Sequence, residues 1–249
     1  MGTSNMFDGK NDKHSSLLPE DYLIDDETPI ESWKSVKSYV SKNINDDRYG
    51  SKETAIRKYL RASGGTKTIV QNRSGKVAAK SIGLLMHNIE TNGYFYAFGQ
   101  LGVDCTNKSI EEIFSELIPA IVPDSKTKED GCARQATQEA LSVLYDYVVD
   151  NNLDLRCLDN IPKELIQFVI SEFITAYLWS LFLSDMSIRF EKYQSDGDVS
   201  FEKQEEYKSI IHSVVDIEYN KHSLDGISTD KVVTVLMEKC YSMLEGVEL

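Results

Sequence analysis

The sequence has little of what metal-binding and catalytic proteins carry. Its 249 residues include four cysteines and four histidines, all scattered. Cys105, Cys132, Cys157 and Cys240 never reach the short spacing of a zinc or redox pair, which leaves them as reduced structural thiols. His14, His87, His212 and His222 stand singly, so no metal site is expected. No phosphate-binding loop with a Gly-Lys-Ser or Gly-Lys-Thr ending is present, nor a His-Glu-x-x-His helix, nor a glycine-flanked nucleophilic serine. Ser63-Gly64-Gly65-Thr66 is the nearest thing to a nucleotide cradle, but helical patterns flank it on both sides and it reads as a turn. The acid pairs Asp25-Asp26, Asp46-Asp47 and Glu111-Glu112 fall in loops or on first helical turns, where acids favour the helix dipole. A non-enzymatic protein without a cofactor is the expectation.

Long apolar runs are also scarce. The first twenty residues contain no apolar core of a signal peptide, so a reducing cytoplasm is the expected compartment. The stretch from Ile166 to Leu183 is the only one that approaches a membrane span, and it contains Gln167 and Glu172. An ionised Glu near a bilayer centre costs about 2.5 to 3.5 kcal/mol, and neither flank looks like an anchor, so a buried central helix is expected and no membrane contact. Positive charge is short as well: the formal net charge is −13, which argues against a surface that coats nucleic acid or an anionic bilayer as a whole. The deficit is uneven. Residues 51–100 carry eight Lys or Arg against only Glu53 and Glu90, a basic island in an acidic protein.

What is present is helical periodicity. With 41% hydrophobic residues the chain can build a sizeable core, and no alternation long enough for a sheet occurs. The reading is an all-α, bundle-like domain over 31–249, with a basic segment at 52–92 and an acidic remainder at 105–249. Trp33, Val36, Tyr39 and Val40 mark a first helix, broken at Asn45-Asp46-Asp47, and Ile56, Tyr59 and Leu60 a second from Lys52 to Ala62. A third, about Lys67 to Asn92, would turn Ile69, Val77, Ile82, Leu85 and Ile89 inward. Gly75 and Gly83 lie inside it, and since glycine costs a helix about 1 kcal/mol, they imply close packing or a break near Gly75. The aromatic run from Gly93 to Asp104 has no assignable period. Ser109 and Glu112 form a capping box for a helix ended by Pro119 and Pro123. Lys128 to Asp150 is the clearest amphipathic helix, and three more follow near Pro162 to Tyr193, Phe201 to Asn220 and Ser228 to Leu244.

Residues 1–30 differ in kind. They are polar and of low complexity and cannot bury enough surface to offset their ordering entropy, so a flexible, largely irregular arm is expected. Its apolar knots, Leu17-Leu18-Pro19 and Tyr22, are candidates for docking onto a partner or onto the chain's own body. Gly2 would be exposed as a free amine once Met1 is removed. The myristoylation pattern requires Ser or Thr at position 6, which is Met6. The basic island supplies a possible contact surface: Arg57, Lys58 and Arg61 on one helix, then Lys67, Arg73, Lys76 and Lys80 on the next. These cations suit phosphates, the acidic remainder of the chain or an acidic partner. Aromatic interleaving is thin, with Tyr59 alone in the block.

In the order and spacing of several segments the chain resembles the QatB family of the Qat anti-phage defence system. The segments are Met1-Gly2-Thr3-Ser4, Leu17-Leu18-Pro19, Tyr59 through Gly65, Arg73 through Gly83, Leu101-Gly102-Val103-Asp104, and Asp130-Gly131-Cys132-Ala133-Arg134-Gln135 leading to Ala140-Leu141. The last third resembles the family only in helical character. The resemblance implies partners: a QueC-like protein, QatC, together with an AAA-type ATPase and a TatD-like nuclease. QueC enzymes activate a deazaguanine carboxylate with ATP, and in defence relatives the capturing amine can be an amino-terminal glycine. Gly2 is then the modification site, with Thr3, Ser4 and Asn5 able to lie extended in the partner's channel and Met6 and Phe7 as further partner-binding candidates. The chemistry suits the role. An α-amine has a pKa of about 7.7 to 8.0 and is partly neutral at cytoplasmic pH, whereas a lysine near 10.4 is not. The alternative is a scaffold that bridges defence subunits and binds nucleic acid through 57–80, without being modified.

Overall fold

The computed structural model describes residues 31–46, 48–123, 126–191, 197–221 and 229–246. The arm candidates Gly2, Thr3, Ser4, Asn5, Met6, Phe7, Leu17, Leu18, Pro19 and Tyr22 lie outside them. Among the described residues there are ten α-helices, one 3-10 segment and no strand, as the periodicity implies. They are α1 (Trp33–Asn45), α2 (Lys52–Ala62), α3 (Gly65–Gln71), α4 (Arg73–Asn92), α5 (Tyr94–Gln100), α6 (Ile110–Ile121), α7 (Lys128–Asp150), the 3-10 segment Leu155–Asn160, α8 (Lys163–Glu191), α9 (Gly197–Lys221) and α10 (Thr229–Glu245).

Helix starts follow local chemistry. Ser32 and Ser51 accept the amides of Ser35 and Thr54 at 3.2 Å and cap α1 and α2. Ser109 and Glu112 form the expected capping box on α6, and Thr127 and Asp130 a second one on α7. Three expectations change. The single helix expected from Lys67 to Asn92 is two, divided at Asn72, whose side chain accepts the amides of Ser74 and Gly75 and starts α4. The break thus falls near Gly75, and Gly75 itself marks close packing: a Cβ there would lie 2.4 Å from Cζ and the hydroxyl of Tyr177 on α8. Pro119 lies inside α6, which closes at Ile121 with the Val122 amide donating to the Ile118 carbonyl at 2.9 Å. The aromatic run without a period forms α5, where Phe98 is buried against Phe114 and the Tyr94 amide donates to Asp159 at 3.1 Å. Seven residues are too few to show a helical stripe.

α8 is the centre of the bundle, with α7 and α9 packed along it and α1 and α4 reaching it. Phe173, Ile174, Tyr177, Leu178 and Phe182 are fully buried, and each of the four without a hydroxyl contributes about 1.5 to 3 kcal/mol of transfer free energy. By length and composition α8 could cross a membrane, but 78% of its apolar window is buried within the protein. It is the core helix that the sequence implies. Buried hydroxyls pin its neighbours: Tyr241 donates to the Ile174 carbonyl at 2.9 Å, and Tyr207 to Asn43 at 2.6 Å.

The end of α10 closes on the start of α3. Gly64 and Gly65 take φ of 93° and 79°, which suit glycine, and Gly64 has no side chain with which to cap α3. Buried Glu245 does so from the other end of the fold, accepting the Thr66 amide at 2.7 Å. Arg61 donates to the Glu245 carbonyl at 3.2 Å.

Candidate functional site

Where α4, α6 and α7 converge, the surface opens into a groove of 690 Å³. Asn72, Arg73, Ser74 and Val77 of the α4 start line it, with Ile121, Val122 and Pro123 after α6, and Lys126, Thr127, Glu129 and Asp130 at the start of α7. Two capped helix starts are tied together here, because the Ser74 hydroxyl donates to Asp130 Oδ1. Asp130 also accepts the amides of Lys126 and Thr127 at 3.1 and 3.0 Å. The Ser74 bond, then those from the Lys126 and Thr127 segment, lower its pKa to about 2. A fixed carboxylate at this point holds the floor of the groove in one shape. Arg134 reaches across from α7 to the Val122 carbonyl at 3.4 Å and steadies the end of α6.

Val77 corrects an expectation. Placed inward by period, it is 48% exposed and lines the groove. The groove thus joins an apolar strip, Val77, Ile121 and Val122, to cations at Arg73 and Lys126 and acids at Glu129 and Asp130. Mixed charge around an apolar strip is the chemistry of a protein contact, since a polyanion would meet the two acids.

The described residues contain no cluster of three or more His, Cys, Asp or Glu able to hold a metal ion. Burial raises the pKa of all four thiols, Cys132 to about 11, so none is a ready nucleophile at neutral pH. His212 contacts Asp216 at 3.1 Å on the surface of α9.

The basic island divides. Lys58 pairs with Glu31 at 2.9 Å and lies over the Tyr39 ring, and Arg61 bonds the end of α10. Arg57 stands beside Gly246, also at that end. Helix carboxyl ends favour cations, so the α2 members have a structural use. Lys67, Arg73, Lys76 and Lys80 are exposed on α3 and α4, and only Arg73 reaches the groove.

Segments quoted for the family likeness meet in this geometry: Arg73 through Gly83 supplies α4, Asp130 through Gln135 supplies α7, and Ser74 to Asp130 joins them. A family model described as Qat anti-phage system associated protein QatB matches residues 64–244. The chain belongs to the QatB family. No curated protein and no solved structure matches it. QatB membership makes it a component of the Qat anti-phage system. The match takes in the last third of the chain, where the sequence likeness was only helical character, and begins after α1 and α2. Sequence reasoning missed the groove because its parts are separated along the chain. Two local signals point to it: Asn72 ahead of α4 and the Thr127 to Asp130 capping box.

Proposed function

We propose that this QatB-family protein is a non-enzymatic subunit that docks a QueC-like partner through its helical body and delivers Gly2 into that partner's active site. The α4–α6–α7 groove is the docking surface, Leu17, Leu18, Pro19 and Tyr22 of the arm extend the contact, and Thr3, Ser4, Asn5, Met6 and Phe7 lie in the partner's channel. Once Met1 is removed, the neutral Gly2 amine attacks the carbonyl of an adenylated 7-deazaguanine-type carboxylate. A C–N amide bond forms, the carbonyl carbon's bond to the phosphate oxygen breaks, AMP leaves, and the amine gives up its proton to solvent. The AAA-type ATPase and the TatD-like nuclease complete the partner set.

The observation that carries the reading is family membership over 64–244, joined to a groove whose mixed apolar and charged lining suits a protein partner. Intact-mass and amino-terminal peptide spectrometry of protein co-expressed with the active partner tests it. The expected result is a mass increase confined to Gly2 and lost in Gly2→Pro. An unmodified Gly2 beside an active partner refutes delivery.

A further inference from the structure

We propose that a second groove, between α1 and the end of α8, binds the phosphate backbone of single-stranded nucleic acid. Its volume is 580 Å³, and it is lined by Lys34, Lys37, Ser38, Ser41 and Lys42 of α1 and by Arg189 of α8. Among the described residues no carboxylate lines it. Among the described residues Lys34, Lys37 and Arg189 have no ion-pair or hydrogen-bond partner for their side chains, unlike Lys58 and Arg61 of the basic island. Ser41 contributes a hydroxyl that is buried in the wall of the groove without a hydrogen-bond partner among the described residues. In a protein of net charge −13, four cations in one concavity form a local positive field that low-dielectric walls focus.

Aromatic placement separates nucleic acid from an acidic peptide. Trp33 opens α1 and Tyr49 follows its end, each 38% exposed, and Lys42 lies over the Tyr49 ring at 5.1 Å. Both rings lie beside the groove lining and not in it, Trp33 edge-on to Tyr59 and Tyr49 tilted against Tyr39, and a strand whose phosphates follow the Lys34–Lys42 row would bring unpaired bases to their exposed parts. Carboxylate side chains have no use for the rings. Lys34 to Lys42 spans about 12 Å at 1.5 Å per residue, the reach of a few nucleotides.

The test is fluorescence anisotropy of the full chain with a dye-labelled oligothymidine of about twelve nucleotides, within the usual site size for single-strand binders. Four phosphate contacts on a single strand give an affinity that falls about fifty-fold from about 50 to about 200 mM salt. K34Q/K37Q should lower the log–log salt slope by about 1.4, and K34E/K37E/R189E should abolish binding. K67E/K76E/K80E, exposed on α3 and α4 and outside the lining of this groove, should leave both unchanged. Stacking should quench Trp33, which is readable because the other tryptophan, Trp179, is only 5% exposed. Absence of binding by the native chain, or native affinity and slope in a folded K34Q/K37Q variant, overturns the proposal. So does a polyglutamate of equal charge that binds as tightly and leaves Trp33 unquenched, which would identify an acidic-protein surface.

Discussion

α1 presents three cations and α2 four, Lys52 of the latter paired with Glu206 at 3.2 Å, yet their surroundings give the two helices opposite uses. Lys58 and Arg61 of α2 are held by Glu31 and by the end of α10, with Arg57 beside Gly246, so these charges belong to the fold's own closure. Among the described residues Lys34 and Lys37 of α1 have no such partners and, with Lys42 and Arg189, line a concavity without acids. A run of basic residues in sequence therefore does not locate a binding surface. What the cations meet in space decides, and that depends on residues far away in the chain.

The largest effect should come from the carboxylate at the centre of the α2 closure. Glu245→Ala removes the side-chain cap of α3 and leaves the buried Thr66 amide without its charged acceptor. Loss of a hydrogen bond to a charged group at a buried site costs about 1.5 to 3 kcal/mol. Thermal unfolding should show a clear fall in Tm, and Glu245→Gln, which keeps an acceptor oxygen, should recover most of it. Equal stability of the alanine variant would mean that the end of α10 does not hold α3.

A smaller effect divides α2 internally. Arg61→Ala loses the bond to the Glu245 carbonyl and the packing of a stem whose Nε is buried, and should cost about 1 to 2 kcal/mol. Lys58→Ala breaks a part-exposed pair with Glu31, for which screening leaves less than about 1 kcal/mol. Chemical denaturation of both should rank Arg61 first. The reverse order would make α2 an ordinary charged surface and weaken the contrast with α1.

How far the sequence reveals this depends on whether a feature is local. α2 and α7 begin and end where turn and cap residues place them, because Ser51, Thr127 and their partners lie within one turn. The burial of α8 follows from its composition. The Asn72 break was legible only as a break near Gly75, since the apolar period continues on either side of it, and α5 was hidden because seven residues cannot define a stripe. Val77 was misplaced since period alone cannot tell a core position from the apolar wall of a groove. Both grooves are assembled from distant segments: Ser74 with Asp130 in one, Lys34 and Lys37 with Arg189 in the other. The charge count hid the second groove further, since the acids of the arm outweigh the lysines of α1.

The smallest effect on stability is expected where the comparison is sharpest. Lys34→Ala with Lys37→Ala removes two charges that touch no carboxylate among the described residues and replaces them with a better helix former. Removing like charges that share a groove with Lys42 and Arg189 also relieves repulsion, so Tm should stay level or rise slightly, within about 0.5 kcal/mol. An α2 variant that loses its cations should weaken the fold at any salt concentration, since Arg61 acts through a part-buried bond. The α1 double variant should differ from the native chain mainly at low salt, where unscreened repulsion is strongest, and converge with it as salt rises. A marked fall in stability would show that Lys34 and Lys37 also serve the closure of the fold, and the two helices would no longer stand for two uses of the same charge.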